Sequence, residues 1–153
     1  MNHRSLFYKL STVCILFLFV SASNSCKLSE TDPTLSVYTN SLILAKNQNQ
    51  KLLVIFGADW CPDCRAFDVL LREKKISELI LKKFLILKID VGQFDQNLAL
   101  NSRLGNPIAN GIPSVVIIDP LNPEKIVAST KGGEFSTASQ MTAEQVYKYF
   151  VQY

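Results

Sequence analysis

The chain has 153 residues, with 16 lysines and arginines against 13 aspartates and glutamates and a formal net charge of +3. That length holds one domain with a substantial hydrophobic core and is short for two, and so small a charge excess gives no electrostatic basis for nucleic-acid binding. The single histidine, His3, stands at the extreme N-terminus, which leaves a processed chain without histidine-dependent catalysis.

Arg4 and Lys9 precede an apolar run from Leu10 to Val20, and the small polar segment Ser21-Ala22-Ser23-Asn24-Ser25-Cys26 follows. This is the three-part layout of a secretory signal, so residues 1–25 are expected to be a signal peptide, 26–33 a linker and 34–153 the folded domain. The apolar core is short for a bilayer span, although an uncleaved anchor is an alternative. Two cleavages compete. One falls after Ala22, Ser23 or Ser25; the other leaves Cys26 first and acylated. Ser23 and Ser25 fit a bacterial lipobox, whereas Asn24 and the lack of leucine three residues before Cys26 do not. Lipidation would account for a Cys26 otherwise left over in an oxidising compartment. The expected location is outside the cytoplasm, in a bacterial periplasm or tethered to the membrane facing it. Removal of the two signal lysine/arginine residues lowers the net charge to +1.

Asp32-Pro33 is a helix-start pair before a helical stretch carrying Leu35, Val37, Leu42, Ile43 and Leu44. Leu52 to Phe56 is an apolar run of strand length, and Gly57-Ala58-Asp59 turns the chain. A helix is expected from Cys61 to about Lys75 and a second from Ile76 to Lys83. Phe84 to Asp90 forms the next strand, and strand-helix-strand order implies parallel pairing through a right-handed crossover. A helix is expected over Asp95 to Leu104, with Leu98, Leu100 and Leu104 as its apolar residues. Ser114–Asp119 and Lys125–Ser129 suit an antiparallel hairpin. Gly132-Gly133 breaks the chain, and Thr142 with Gln145 makes a capping box for a last helix through Phe150.

Trp60-Cys61-Pro62-Asp63-Cys64 carries the chemistry. Pro62 suits the first helical position, where its missing N–H costs nothing, so Cys61 becomes the N-cap with its sulfur facing the free amides of Asp63 and Cys64. Those donors and the positive helix end stabilise a thiolate, which makes Cys61 the expected attacking sulfur. Cys64 shares a helix face with Phe67 and Leu71 and is expected to be the more buried thiol, the one that resolves a mixed disulfide. A zinc site needs four ligands, and the other candidates, Cys14, Cys26 and His3, lie near the N-terminus; neither a metal nor another cofactor is assigned. A purely structural disulfide closing so short a loop removes little unfolded-chain entropy. The pattern points to redox chemistry.

The order Trp60-Cys61-Pro62-Asp63-Cys64 after an apolar strand, Lys88-Ile89-Asp90 ending the next, Gly111-Ile112-Pro113-Ser114 opening the hairpin and Gly132-Gly133 beyond it resembles the thioredoxin superfamily over residues 34–152. The resemblance implies an α/β thioredoxin-like fold, a central mixed sheet flanked by helices. It implies that Pro113 is a cis-proline beside the cysteines, and that Trp60, Pro62, Asp63, Ile112 and Pro113 border a substrate groove in which the Ile112 backbone meets an extended segment. Two positions depart from it: the buried aspartate six residues before the first cysteine is Ile55, and the neighbouring-strand lysine is Ile86, so the usual proton route is missing, with water or Asp59 as substitutes. Residues 91–95 and 105–110 are additional, as a partner-selecting loop or as inert decoration. The expected function is that of an exported thiol-disulfide oxidoreductase acting on protein disulfides or dithiols with an unidentified electron donor and a membrane tether through Cys26; the alternative is a non-catalytic binding or chaperone-like module using the groove around Trp60 and Pro113. Asp63, a negative charge beside Cys61 only partly offset by Arg65, points to a reducing potential.

Overall fold

Asp32 starts the first helix, α1 (Pro33–Asn47), by accepting a hydrogen bond from the Thr34 amide on its side chain at 2.9 Å. The computed structural model describes residues 32–131 and 133–153; the expected signal and most of the linker, with His3, Cys14 and Cys26, lie outside the described residues, as does Gly132. The inward residues of α1 differ from those expected. Tyr38 and Ala45 are buried, while Val37, Ile43 and Leu44 are about half exposed, because the sheet meets the helix along the Tyr38 stripe and apolar residues elsewhere on it stay in solvent.

Strand β1 (Lys51–Gly57) runs parallel to β2 (Phe84–Asp90) and antiparallel to β3 (Ser114–Ile118), which pairs antiparallel with β4 (Ile126–Ser129). The sheet order is β2-β1-β3-β4. Between β1 and β2 lie α2 (Pro62–Arg72) and α3 (Lys74–Lys83), and α4 (Leu98–Arg103) follows β2. The last helix, α5 (Ala143–Val151), starts at the expected capping box, in which Thr142 and Gln145 exchange hydrogen bonds. The helix expected through Lys75 ends earlier: Glu73 takes an extended ψ of 131° between α2 and α3. The break turns Ile76 and Ile80 onto the same buried layer as Phe67 and Leu71. The expected helix over Asp95–Leu104 starts only at Leu98, since Phe94 and Asn97 adopt positive φ; Leu100 and Leu104 are buried and Leu98 is exposed.

Alternation along β1 divides the core. Leu52, Val54 and Phe56 face one layer with Tyr38, Ala45 and Leu100; Leu53 and Ile55 face the other with Phe67, Ile80 and Phe150. In the second layer the Phe67 ring lies 4.6 Å from that of Phe135 and 6.4 Å from that of Phe150, centroid to centroid. Phe67→Ala is expected to lower unfolding free energy by about 3–5 kcal/mol, whereas Val69→Ala on the exposed side of α2 should cost under about 0.5 kcal/mol. Urea denaturation checks both; equal losses would contradict this packing. Among the described residues no helix is long and apolar enough to cross a membrane.

Candidate active site

β1 ends at Gly57, where an added Cβ would lie 3.3 Å from Cys64 Sγ; the absence of a side chain lets the second thiol pack closely onto the strand end. The chain then turns, with the Cys61 amide donating to the Ala58 carbonyl at 3.1 Å. Cys61 is the N-cap of α2 with extended backbone, Pro62 occupies the first turn, and Cys61 Sγ accepts the Cys64 amide at 3.3 Å. Strand, turn and helix thus place the sulfur at the helix start, where the Cys64 amide reaches it and the expected Asp63 amide does not.

Across the cleft the Ile112–Pro113 peptide bond is cis, and the Ile112 carbonyl lies 3.6 Å from Cys61 Sγ, accepting its S–H. This segment is anchored from behind. Buried Ser114 donates to the Pro107 carbonyl at 2.8 Å and lies 3.1 Å from Thr130 Oγ1, which in turn accepts the Val115 amide at 2.7 Å. The additional residues 105–110 belong to this support: Pro107–Asn110 forms a short helical turn with Pro107 and Ile108 buried, and Asn101, itself buried, donates to Asn106 Oδ1 at 2.8 Å.

The burial order of the two thiols is the reverse of that expected. Cys61 is only 4% exposed and Cys64 is the less buried residue, because the Ile112 carbonyl covers Cys61 while Cys64 faces a cavity of about 210 Å³ also lined by Gly57, Asp68 and Lys88. The environment of the Cys64 sulfur nevertheless disfavours charge. Burial first, then hydrogen bonding to Cys61, and the negative charges of Cys61 and Asp68 push the Cys64 thiol up to about 12, against the opposing pull of the Ala58 amide.

Asp63 points away from the helix to a partner that the sequence did not reveal. One of its oxygens, Oδ1, accepts both the Ser139 amide, at 2.8 Å, and the Ser139 hydroxyl, at 2.7 Å; the hydroxyl and then the amide hold its carboxyl below the usual carboxylate range. Arg65 donates to the Asp59 carbonyl at 2.6 Å. Trp60 is 45% exposed, donates from Nε1 to the Gly92 carbonyl at 2.7 Å and meets Phe94 edge-on at 5.9 Å. Phe94, also exposed, adopts φ 65°, an unusual conformation for a bulky residue.

Ile55 is buried and pairs in register with Lys88, while Ile86 pairs with Leu53 and is partly exposed. Lys88 Nζ lies 2.6 Å from Asp68 Oδ1. Reading from sequence missed Ser139, Phe94 and this ion pair. Asp68 alone had a legible signal, its position four residues beyond Cys64 on one helix face. Among the described residues no cluster of three histidine, cysteine, aspartate or glutamate side chains could hold a metal ion.

A family model described as thioredoxin-like matches residues 35–120. Among solved structures, a disulphide isomerase from Xylella fastidiosa Temecula1 superposes with a TM-score of 0.73 and is 40% identical, over 80% of this chain and 92% of its own. A thioredoxin from Thermus thermophilus gives a TM-score of 0.56 at 22% identity, over 75% of this chain and 82% of its own. The C-terminal domain of Neisseria meningitidis DsbD in its oxidised form gives 0.56 at 18% identity, over 78% and 94%; these two show the fold. A comparison with curated proteins gives no match. With a mixed sheet, flanking helices and a paired-cysteine helix start in the expected order, the chain belongs to the thioredoxin-like family and is a thiol-disulfide oxidoreductase.

Proposed function

We propose that the protein is exported and reduces protein disulfides through a Cys61/Cys64 dithiol-disulfide cycle. The observation that carries this reading is Cys61 Sγ at the N-cap of α2, accepting the Cys64 amide beside the Ile112 carbonyl. The Cys61 thiolate attacks one sulfur of a substrate disulfide; the other leaves as a thiolate and takes a proton from solvent. Deprotonated Cys64 then attacks Cys61 Sγ, the Cys61–substrate bond breaks, and the second substrate sulfur leaves. Two electrons have passed to the substrate, and a separate donor restores the dithiol. Trp60, Pro62, Asp63, Ile112 and Pro113 border the groove, and Phe94 extends it along the loop after β2. The 40% identical Xylella protein is described as a disulphide isomerase; isomerisation and reduction begin with the same attack by a reduced thiol, which supports a dithiol resting form.

Insulin reduction with dithiothreitol tests the activity: the protein is expected to shorten the lag before insulin precipitates, and no acceleration would overturn the reading in favour of a binding module. Export is tested by the mature N-terminus. It is expected within residues 21–26, with acylation if Cys26 comes first and tethers the domain to the membrane. An intact Met1 on cytoplasmic protein would end the export proposal.

A further inference from the structure

Cys64 must lose a proton before it can attack, since the thiolate is the nucleophile. Ile55, buried on β1 and lining the same cavity as Cys64, has no acid to offer. The cavity facing Cys64 is bordered by five charged side chains: Asp59, Arg65, Asp68, Lys88 and Asp90. Asp59 is exposed and Arg65 binds its carbonyl. Asp90 is exposed and its Oδ1 accepts the Gly92 amide at 2.9 Å. Asp68 differs from both. It is partly buried, lies one helical turn beyond Cys64 on the same face of α2, and acts electrostatically on that thiol. Lys88 reaches it from β2 at 2.6 Å, through Oδ1, and this leaves the second carboxylate oxygen to accept a proton. A cavity of about 210 Å³ has room for water between acid and thiol.

We infer that Asp68, oriented by Lys88, takes the proton from Cys64 as the mixed disulfide is resolved. This rests on the proposed reductive cycle. The proton passes from the thiol through water to the Asp68 carboxylate. The Cys64 thiolate forms the bond to Cys61 Sγ, the bond from Cys61 to substrate breaks with its electron pair leaving on the substrate sulfur, and that sulfur is protonated from solvent. Asp68 then returns its proton to solvent. Lys88 fixes the direction of the carboxylate through its contact with Oδ1.

The test mixes the reduced full chain with glutathione disulfide, quenches with acid, alkylates, and follows reduced, mixed-disulfide and oxidised forms by mass spectrometry. Asp68→Asn is expected to form the mixed disulfide within about twofold of the wild-type rate but to resolve it about 100-fold more slowly at neutral pH, with the deficit closing as pH rises and hydroxide replaces the carboxylate. Asp68→Glu should restore most of the rate, Lys88→Met should show a smaller loss, and Asp59→Asn and Asp90→Asn should behave as wild type. A second readout separates proton transfer from simple charge repulsion. In a Cys61→Ser background, Asp68→Asn should speed alkylation of Cys64, because a neighbouring negative charge is gone; a purely electrostatic role would then speed resolution as well. Resolution at or above the wild-type rate in Asp68→Asn, equal slowing of both steps, or a larger loss in Asp59→Asn would overturn the assignment. Failure of the wild type to form any mixed disulfide would instead overturn the reductive cycle on which it rests.

Discussion

Cys61→Ser is expected to reduce insulin reduction to the uncatalysed background, whereas Cys64→Ser should stall with substrate covalently held on Cys61. The asymmetry follows from the two environments. Cys61 Sγ receives the Cys64 amide at the start of α2, and donors at a helix N-terminus favour a sulfur carrying negative charge. The Cys64 thiol is instead pushed up to about 12 by burial and by its neighbours. Ionisation and exposure therefore disagree, since Cys61 is the more covered of the two residues. Ionisation decides the outcome, because a thiol pushed up to about 12 presents almost no thiolate at neutral pH. The sign is that of an acid whose neutral form is favoured: Cys64 remains protonated through the physiological range and loses its proton only as pH rises toward 12. Brief iodoacetamide treatment at mildly acidic pH, read by peptide mass spectrometry, should label Cys61 in preference; preferential labelling of Cys64 would reverse the assignment. The stalled Cys64→Ser form also provides a means of capturing the physiological substrate.

The redox potential is expected near the reducing end of the family range, closer to about −270 mV than to about −120 mV, and Asp63→His should make the disulfide more oxidising by about 30 mV, equivalent to about 1.4 kcal/mol. A disulfide becomes a stronger oxidant as its reduced thiolate becomes more stable. A carboxylate between the two cysteines opposes that thiolate. Two hydrogen bonds from Ser139 hold Asp63 in place and keep it ionised below the usual carboxylate range, so the opposition persists through neutral and mildly acidic pH. Arg65 is turned to the Asp59 carbonyl and is exposed to screening. Asp63→Asn is the informative control: its amide oxygen can still accept from Ser139 while the charge is gone, so it should give roughly half the shift of Asp63→His. Equilibration with glutathione measures all three proteins. A wild-type value near the oxidant end, or a shift toward more reducing potentials in Asp63→His, would refute the argument, and an unshifted Asp63→Asn would assign the effect to lost hydrogen bonds.

Much of this molecule follows from short-range pattern. Apolar runs at Leu52–Phe56 and Phe84–Asp90 became adjacent parallel strands, the proline and capping-box signals at Asp32-Pro33, Cys61-Pro62 and Thr142–Gln145 started helices where local chemistry satisfies free amides, and the paired cysteines fell at the strand-helix turn. These features depend on residues a few positions apart, and such contacts are written directly in the sequence. Tertiary structure decided what depends on distant partners: that Tyr38 and Ala45 of α1 turn inward while Val37 and Leu44 do not, that Glu73 divides one expected helix into two, that Ser139 holds Asp63 across 76 positions, and that Ile112 covers Cys61, reversing the expected burial order. The charged pair beside Cys64 shows the reason most plainly. Asp68 and Lys88 stand 20 residues apart on different elements, and only the pairing of β2 with β1 beside α2 brings the ammonium to the carboxylate.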